Sequence, residues 1–318
     1  MKKSTLLIFD TTNIFIRSFS GLMRHGLTAP DGTGTWGTFG TFNTVANLVR
    51  KYEPSHLLLA FDKGKSSKRL AIDPEYKANR DKKRDKPKPM EEAFSLEFKP
   101  QLEMFLMLCS LNGLPFLRIQ GVEADDIIAH AALSLSPVFD RVVIVSADHD
   151  LHQLIRPNII VVKPNISFKD IEEEVHTMET IMDTWGVEPW RLPEIWSLMG
   201  DTGDNIKGIN GIGPKKATKL IAEHGDLEAV LSLDDPKIQE NIEVVRKAKK
   251  LIELSTDNSI DFPPLGNLQF NPMKYGDPGY IELENIYDQL GFTQIKDRWR
   301  KNILWSDGLQ FGKRLNGH

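Results

Sequence analysis

Nine carboxylates in this sequence fall where chemistry could use them: Asp10, Asp62, Glu123, Asp125, Asp126, Asp148, Asp150, Asp201 and Asp204. Singly, each has a structural explanation. Asp10 and Asp62 suit turns after strands, Glu123, Asp125 and Asp126 suit the positive end of a helix, and Asp201 and Asp204 suit a glycine-rich turn or an N-cap. Jointly they ask for more, because chain topology gathers many of them at one sheet edge, where like charges repel and raise one another's pKa values. Such a group needs cations. With no Cys or His cluster nearby, the oxygen donors point to Mg2+ or Mn2+ rather than zinc. Two such ions, roughly 3.5 to 4 Å apart, would activate a water and stabilise the leaving oxygen of a phosphodiester. His149 sits among these acids as a neighbour or surface residue rather than a ligand.

A second pattern is basic. Between Lys63 and Lys88 there are eleven Lys or Arg residues, Lys65, Arg69, Lys77 and Arg80 among them, against four acids. The net charge of the whole chain is −4, so this stretch is a local anion-binding segment beside an acidic remainder. If Tyr76-Lys77-Ala78-Asn79-Arg80 is helical, a base-stacking ring and two phosphate-binding cations share neighbouring faces. The competing reading is a solvated lysine-rich linker. A third pattern, Gly208 to Lys216, brings Gly211, Gly213, Lys215 and Lys216 to the start of a helix expected over Ala217 to Glu223. Glycines let backbone N–H groups approach a phosphate, and the helix start adds positive potential. Dinucleotide binding is disfavoured, because this loop follows a helix rather than a buried strand.

The elements that must position these residues read as a mainly parallel α/β sheet. Thr5 to Phe9, His56 to Phe61, Leu114 to Ile119, Arg141 to Val145 and Ile159 to Val162 are apolar strands, with a turn expected at Asp10-Thr11-Thr12-Asn13. Helical spacing runs over Thr38 to Tyr52, Leu96 to Leu111 and Glu123 to Leu135. Strands alternating with helices place ligands at the carboxyl ends of the strands, where Asp10, Asp62, Asp148 and Asp150 fall. From Pro189 helices dominate, and Pro263 to His318 carries no usable motif. At 318 residues, 40% hydrophobic and with one cysteine, Cys109, the chain can bury its own core without disulfides or structural zinc. Reducing surroundings and a cytoplasmic location are expected, with no membrane span.

Taken in order, Asp10-Thr11-Thr12-Asn13, Asp62-Lys63-Gly64-Lys65, Tyr76 to Arg80, Gly121 to Asp126, Ser146 to Asp150, Met199 to Ile206 and Gly208 to Lys216 resemble the 5′-nuclease family. That family includes bacteriophage flap endonucleases and the 5′-exonuclease domain of bacterial DNA polymerase I. The resemblance covers roughly residues 4 to 255. It implies a PIN-like α/β core over 1–188, a helical arch or clamp over 63–95, a helix-three-turn-helix region over 189–260, and an extension of unknown role over 261–318. By resemblance Asp10, Asp62, Glu123, Asp125 and Asp126 surround one metal, and Asp148, Asp150, Asp201 and Asp204 serve a second. Lys77 and Arg80 match the cations that contact the scissile phosphate and, with Asp148 and Asp201, would carry the chemistry. Tyr76 matches a stacking aromatic, Arg17 a basic residue near the first motif, and Lys65 and Arg69 join them as DNA contacts. Gly211, Gly213, Lys215 and Lys216 would hold duplex backbone, with a monovalent cation such as K+ on loop carbonyls. Thr11 stands where a glycine is usual, and His149 occupies a variable position; neither removes a ligand.

The implied activity is metal-dependent hydrolysis at 5′ flaps, nicks and 5′ ends of DNA or of an RNA–DNA hybrid, in primer removal during replication, by a free-standing monomer. Two other readings stay open on sequence: a PIN-type ribonuclease, and a non-catalytic structure-specific DNA-binding module. The lysines beside the glycine loop argue against the first, and Asp148→Asn or Asp201→Asn would separate the second.

Overall fold

Apolar runs of five or six residues are too short for helices and have no polar face, so they pair inside the molecule. The computed structural model describes residues 4–82, 89–166 and 172–305, and the side chains outside 81–93. The strands β1 (Thr5–Asp10), β2 (His56–Phe61), β3 (Phe116–Arg118), β4 (Arg141–Val145), β5 (Ile159–Pro164) and β6 (Glu173–His176) form one sheet. Its order is β3-β2-β1-β4-β5-β6, parallel throughout except for β6. Central β1 is buried along its whole length and divides its side chains between two cores. Leu6 and Ile8 face one core, Leu7 and Phe9 the other, as the two-residue period of a strand requires.

The turn expected after Phe9 is absent. β1 runs to Asp10 and passes directly into α1 (Thr11–Leu22), because the Asp10 carboxylate caps the helix by accepting from the Asn13 N–H at 3.3 Å. α2 (Trp36–Tyr52) packs on α1 and covers the Leu7/Phe9 face. In the basic segment, α3 (Ser67–Ile72) and α4 (Ala78–Lys82) are short, and α5 (Pro89–Leu111) returns to the Leu7/Phe9 face. The expected arch spans 63–95, of which residues 83–88, with Lys83, Arg84, Lys86 and Lys88, lie outside the described residues. α6 (Ala124–Leu135) covers the opposite face.

The chain then turns helical: α7 (Met178–Trp185), α8 (Leu192–Met199), α9 (Pro214–His224), α10 (Leu227–Leu231), α11 (Pro236–Gln239) and α12 (Ile242–Ile252). Between α8 and α9, Gly200–Asp201 and Ile206–Lys207 pair as a two-stranded ribbon, β7–β8. A Cβ on Gly208 would stand 2.2 Å from the Gly200 nitrogen, so only glycine permits this crossing. These helices share one continuous core with the sheet: Trp196, Ile206, Ile221, Val245 and Leu251 join Leu6, Ile8 and Ile128.

The C-terminal stretch has a visible structural part. α13 (Tyr280–Gln289) and α14 (Thr293–Arg300) bury Leu283, Tyr287, Ile295 and Trp299 against the α2 and α5 side. The Tyr287 hydroxyl donates to Asn112 Oδ1 at 2.7 Å, and Trp299 Nε1 donates to the Met273 carbonyl at 3.0 Å. Among the described residues no helix is long and apolar enough to cross a membrane.

Candidate metal centre

Three neighbouring parallel strands deliver acids to one edge. Asp10 ends β1, Asp62 follows β2, and Asp148 and Asp150 follow β4, while Glu123 immediately precedes α6 and Asp125 and Asp126 occupy its first turn. Neutral partners hold the carboxylates in place. Asp10 accepts from the Ser146 hydroxyl at 2.7 Å, and Asp62 from the Ala124 N–H at 2.7 Å, while the Asp62 N–H is anchored on Thr12 Oγ1. Asp201 closes over its own turn, accepting from the Gly203 N–H at 2.7 Å. Ligand atoms of Glu123, Asp125 and Asp126 lie within 4.8 Å of one another, as do those of Asp150, Asp201 and Asp204, and those of Asp148, His149 and Asp150.

So many buried and half-buried anions disturb their own ionisation. Burial, then the Asp62 charge, pushes the Asp10 pKa up to about 8. Burial followed by Asp148, Asp201 and Asp204 does the same to Asp150, again to about 8. Asp62 is raised by burial and by Asp125 and Glu123, and Asp126 reaches about 6 through burial and Asp125. Asp150 feels Asp125 as well as Asp148, so the acids form a continuous chain of interacting charges.

The donor chemistry suits hard cations. The groups are carboxylates, with one exposed histidine among them, and Asp125 Oδ1 is buried without a hydrogen-bond partner. Its charged neighbour is Arg69, whose Nη1 stands 3.5 Å away.

Two residues expected to contact DNA are turned inward instead. Arg69 is 4% exposed; it grips both Asp126 oxygens at 2.8 and 2.9 Å, reaches Glu123 at 3.0 Å, and donates Nε to the Leu251 carbonyl at 2.9 Å. Burial works against its charge, but Asp125 and Asp126 outweigh burial and hold the guanidinium protonated. Tyr76, expected as an exposed stacking ring, is 2% exposed because it precedes α4 instead of lying on it. Its hydroxyl lies 3.0 Å from Glu123 and 3.3 Å from Asp204, and burial, followed by those two charges, holds the phenol in its protonated form. The carboxylates claim both groups as internal partners.

Lys77 and Arg80 stand at the acids. Lys77 Nζ donates to Glu123 at 2.8 Å and lies 3.6 Å from Asp204, while Arg80, more than half exposed, pairs with the other Asp204 oxygen. Lys65 donates to the Lys77 carbonyl at 3.3 Å. Arg17 donates to the Pro164 carbonyl at the end of β5 and lines a cavity with Lys163 and Glu172 to Glu174. Gly211, Gly213, Lys215 and Lys216 are exposed at the start of α9, and Lys237 Nζ points at Gly211. His149 lies exposed beside Asp148 and Asp150 with its ring edge-on to Trp196. Sequence reasoning gave no role to Thr12, Ser146, Asn79 and Asn205, which hold the acids or their turns, although each lies inside one of the motifs named above.

Profiles of two families match this chain: "5′-3′ exonuclease, N-terminal resolvase-like domain" over residues 5–186 and "5′-3′ exonuclease, C-terminal SAM fold" over 187–275. A 5′-3′ exonuclease of Aquifex aeolicus is 33% identical over 262 residues, covering 81% of this chain and 84% of that one. DNA polymerase I of Streptococcus pneumoniae R6 is 32% identical over 304 residues, 93% of this chain and 33% of the polymerase. The chain thus spans about a third of the polymerases it matches. The zinc-bound T5 5′-exonuclease structure superposes with a TM-score of 0.66 at 24% identity, covering 94% of this chain and 98% of that one. The catalytic core of Rad2 in complex with DNA substrate gives 0.52 at 17% identity, covering 95% and 92%. Both share this fold.

Proposed function

The chain belongs to the 5′-3′ exonuclease family, and from that premise we propose a metal-dependent nuclease that cuts DNA at 5′ flaps, nicks and 5′ ends. The observation carrying this reading is the gathering of carboxylates from the ends of β1, β2 and β4, the start of α6 and the β7–β8 turn, with Lys77 and Arg80 against them. In this reading Asp10, Asp62, Glu123, Asp125, Asp126, Asp148, Asp150, Asp201 and Asp204 hold two or more Mg2+ or Mn2+ ions. When bound, divalent cations supply Lewis-acid activation of water and neutralise charge developing on the phosphodiester.

The chain's own residues then divide the remaining tasks. Lys77 and Arg80 trade their carboxylate partners for the scissile phosphate and orient it by charge-assisted hydrogen bonds. Burial of Lys77 makes such a contact stronger than in water, because the surrounding dielectric is low. Ser146 and the Asn13 N–H fix the two oxygens of Asp10, and Ala124 N–H fixes Asp62, so neither has to reorganise during reaction. Gly211, Gly213, Lys215 and Lys216, with K+ on the loop carbonyls, would hold the duplex backbone beyond the cut. On this division residues 1–188 form the nuclease core, 189–260 the duplex-holding region and 261–318 an extension. The expected products are a 5′-phosphate and a 3′-hydroxyl, the expected substrates include RNA–DNA hybrids at primers, and the expected working form is a monomer.

The test is cleavage of a 5′-labelled flap duplex against a matched blunt duplex, with Mg2+ or EDTA, by wild type and Asp148→Asn. Cutting near the flap junction only by wild type with metal supports the reading. Binding of the flap without cutting by metal-replete wild type would overturn it.

A further inference from the structure

Two turns from distant parts of the chain are tied together beside the acids. One, residues 73–80, carries Tyr76, Lys77 and Arg80; the other, residues 200–207, carries Asp201 and Asp204. Two asparagines make the ties reciprocal. Asn79 Nδ2 donates to the carbonyls of Thr202 at 2.7 Å and Gly203 at 3.3 Å. Asn205 Nδ2 donates back to the Glu75 carbonyl at 2.7 Å. Between them the Lys77 N–H donates to the Asp204 carbonyl at 2.9 Å. Each turn also holds a non-glycine residue in left-handed backbone, Lys77 with φ 55° and Asn205 with φ 60°. Asparagine tolerates that region; lysine seldom adopts it, and it persists only where surrounding contacts fix it.

Building on the nuclease reading, we infer that Asn79 and Asn205 are positioning residues that couple phosphate capture by the Lys77/Arg80 turn to cation binding by Asp201 and Asp204. Thr202 and Gly203 are the residues over which Asp201 folds, through the Gly203 N–H at 2.7 Å and the Asp204 N–H at 3.4 Å. A displacement of Asn79 therefore re-aims Asp201. Conversely, a displacement of Asn205, adjacent to Asp204, pulls on the Glu75 carbonyl one residue before Tyr76. Ion pairs from Lys77 and Arg80 to Asp204 already link the same turns by charge. The amides make that link geometric, so that a phosphate drawing these cations away moves the acid turn with them.

Coupling of this kind is a ratio of affinities and is reciprocal. The experiment measures the Kd of full-length protein for a 5′-flap duplex in EDTA and in Ca2+, with the DNA checked for integrity in the same samples. Wild type, Asn79→Ala and Asn205→Gly are compared; glycine keeps the positive φ while removing the amide. Wild type should bind the flap at least about fivefold tighter with Ca2+. Each variant should lower that ratio about threefold or more, toward one, with the EDTA value within about twofold of wild type. A titration of Ca2+ with and without DNA, read by tryptophan fluorescence, should give the same factor. A merely structural role lowers the thermal midpoint and leaves the ratio where it was. If one variant fails to show a cooperative transition the other decides, since the two amides sit on different turns. A ratio unchanged in the variants, or absent in wild type, overturns the inference. Failure of wild type with Mg2+ to cut any 5′-ended DNA would instead overturn the nuclease reading.

Discussion

At the scale of single residues, the acids decide where their neighbours point: Arg69 and Tyr76 turn inward to bond Asp126 and Glu123 instead of facing solvent. An aspartate after an apolar run sits at a strand end on any reading, and parallel pairing of β1, β2 and β4 brings those ends together. Nothing in residue spacing says that Arg69 and Tyr76 point inward. An aromatic among clustered cations has the composition of a nucleic-acid contact, yet the uncompensated acids next door are the stronger attraction. Tyr76→Phe tests this directly. Removing a hydroxyl held between Glu123 and Asp204 should cost the metal-free protein about 1–3 kcal/mol in urea unfolding. Flap affinity should stay near wild type, whereas a stacking role would weaken it severalfold. Lys77→Ala should differ: turnover falling about 10²–10³-fold in single-turnover cleavage at saturating flap, with the gain in flap affinity that Ca2+ produces reduced as well.

Elements were legible where burial is complete. β2 and β4 lie at the residues expected, His56–Phe61 and Arg141–Val145, because a strand covered on both faces shows an unbroken apolar run. β6 escaped notice because Glu173-Glu174-Val175-His176 is an edge strand whose polar side chains face outward in part. α1 was obscured by Asp10-Thr11-Thr12-Asn13, a turn signature that here is a helix start. α13 and α14 have apolar positions at helical spacing, Leu283, Tyr287 and Leu290 among them, but turn-rich sequence before them and the lack of a motif hid their purpose. Their packing predicts that Trp299→Ala, by emptying a site 1% exposed, costs about 3–5 kcal/mol by thermal or urea unfolding. Cleavage per folded molecule at low temperature should be unchanged, since the residue lies on the sheet face opposite α6 and α12.

For the whole molecule, the acid edge sets a conflict between stability and function that pH should expose. Asp10 and Asp150 are pushed from the ordinary 3.8 to about 8 by burial and by their acidic neighbours. Between those values the folded chain keeps protons that the unfolded chain has lost. Stability of the metal-free protein is therefore fully supported below about pH 4 as far as these groups are concerned, and declines as pH rises toward 8. Divalent cations reverse the trend, because they replace those protons as counter-charges and bind more tightly as the carboxylates ionise. In EDTA the thermal midpoint should fall from pH 5.5 to pH 8, and the increment produced by saturating Mg2+ should grow over the same range. Arg69, Lys77 and Arg80 already neutralise part of the group and so limit the decline. A midpoint in EDTA that is flat or rises with pH, measured by scanning fluorimetry in matched ionic strength, would show that the acids are relieved by something other than protons or metal.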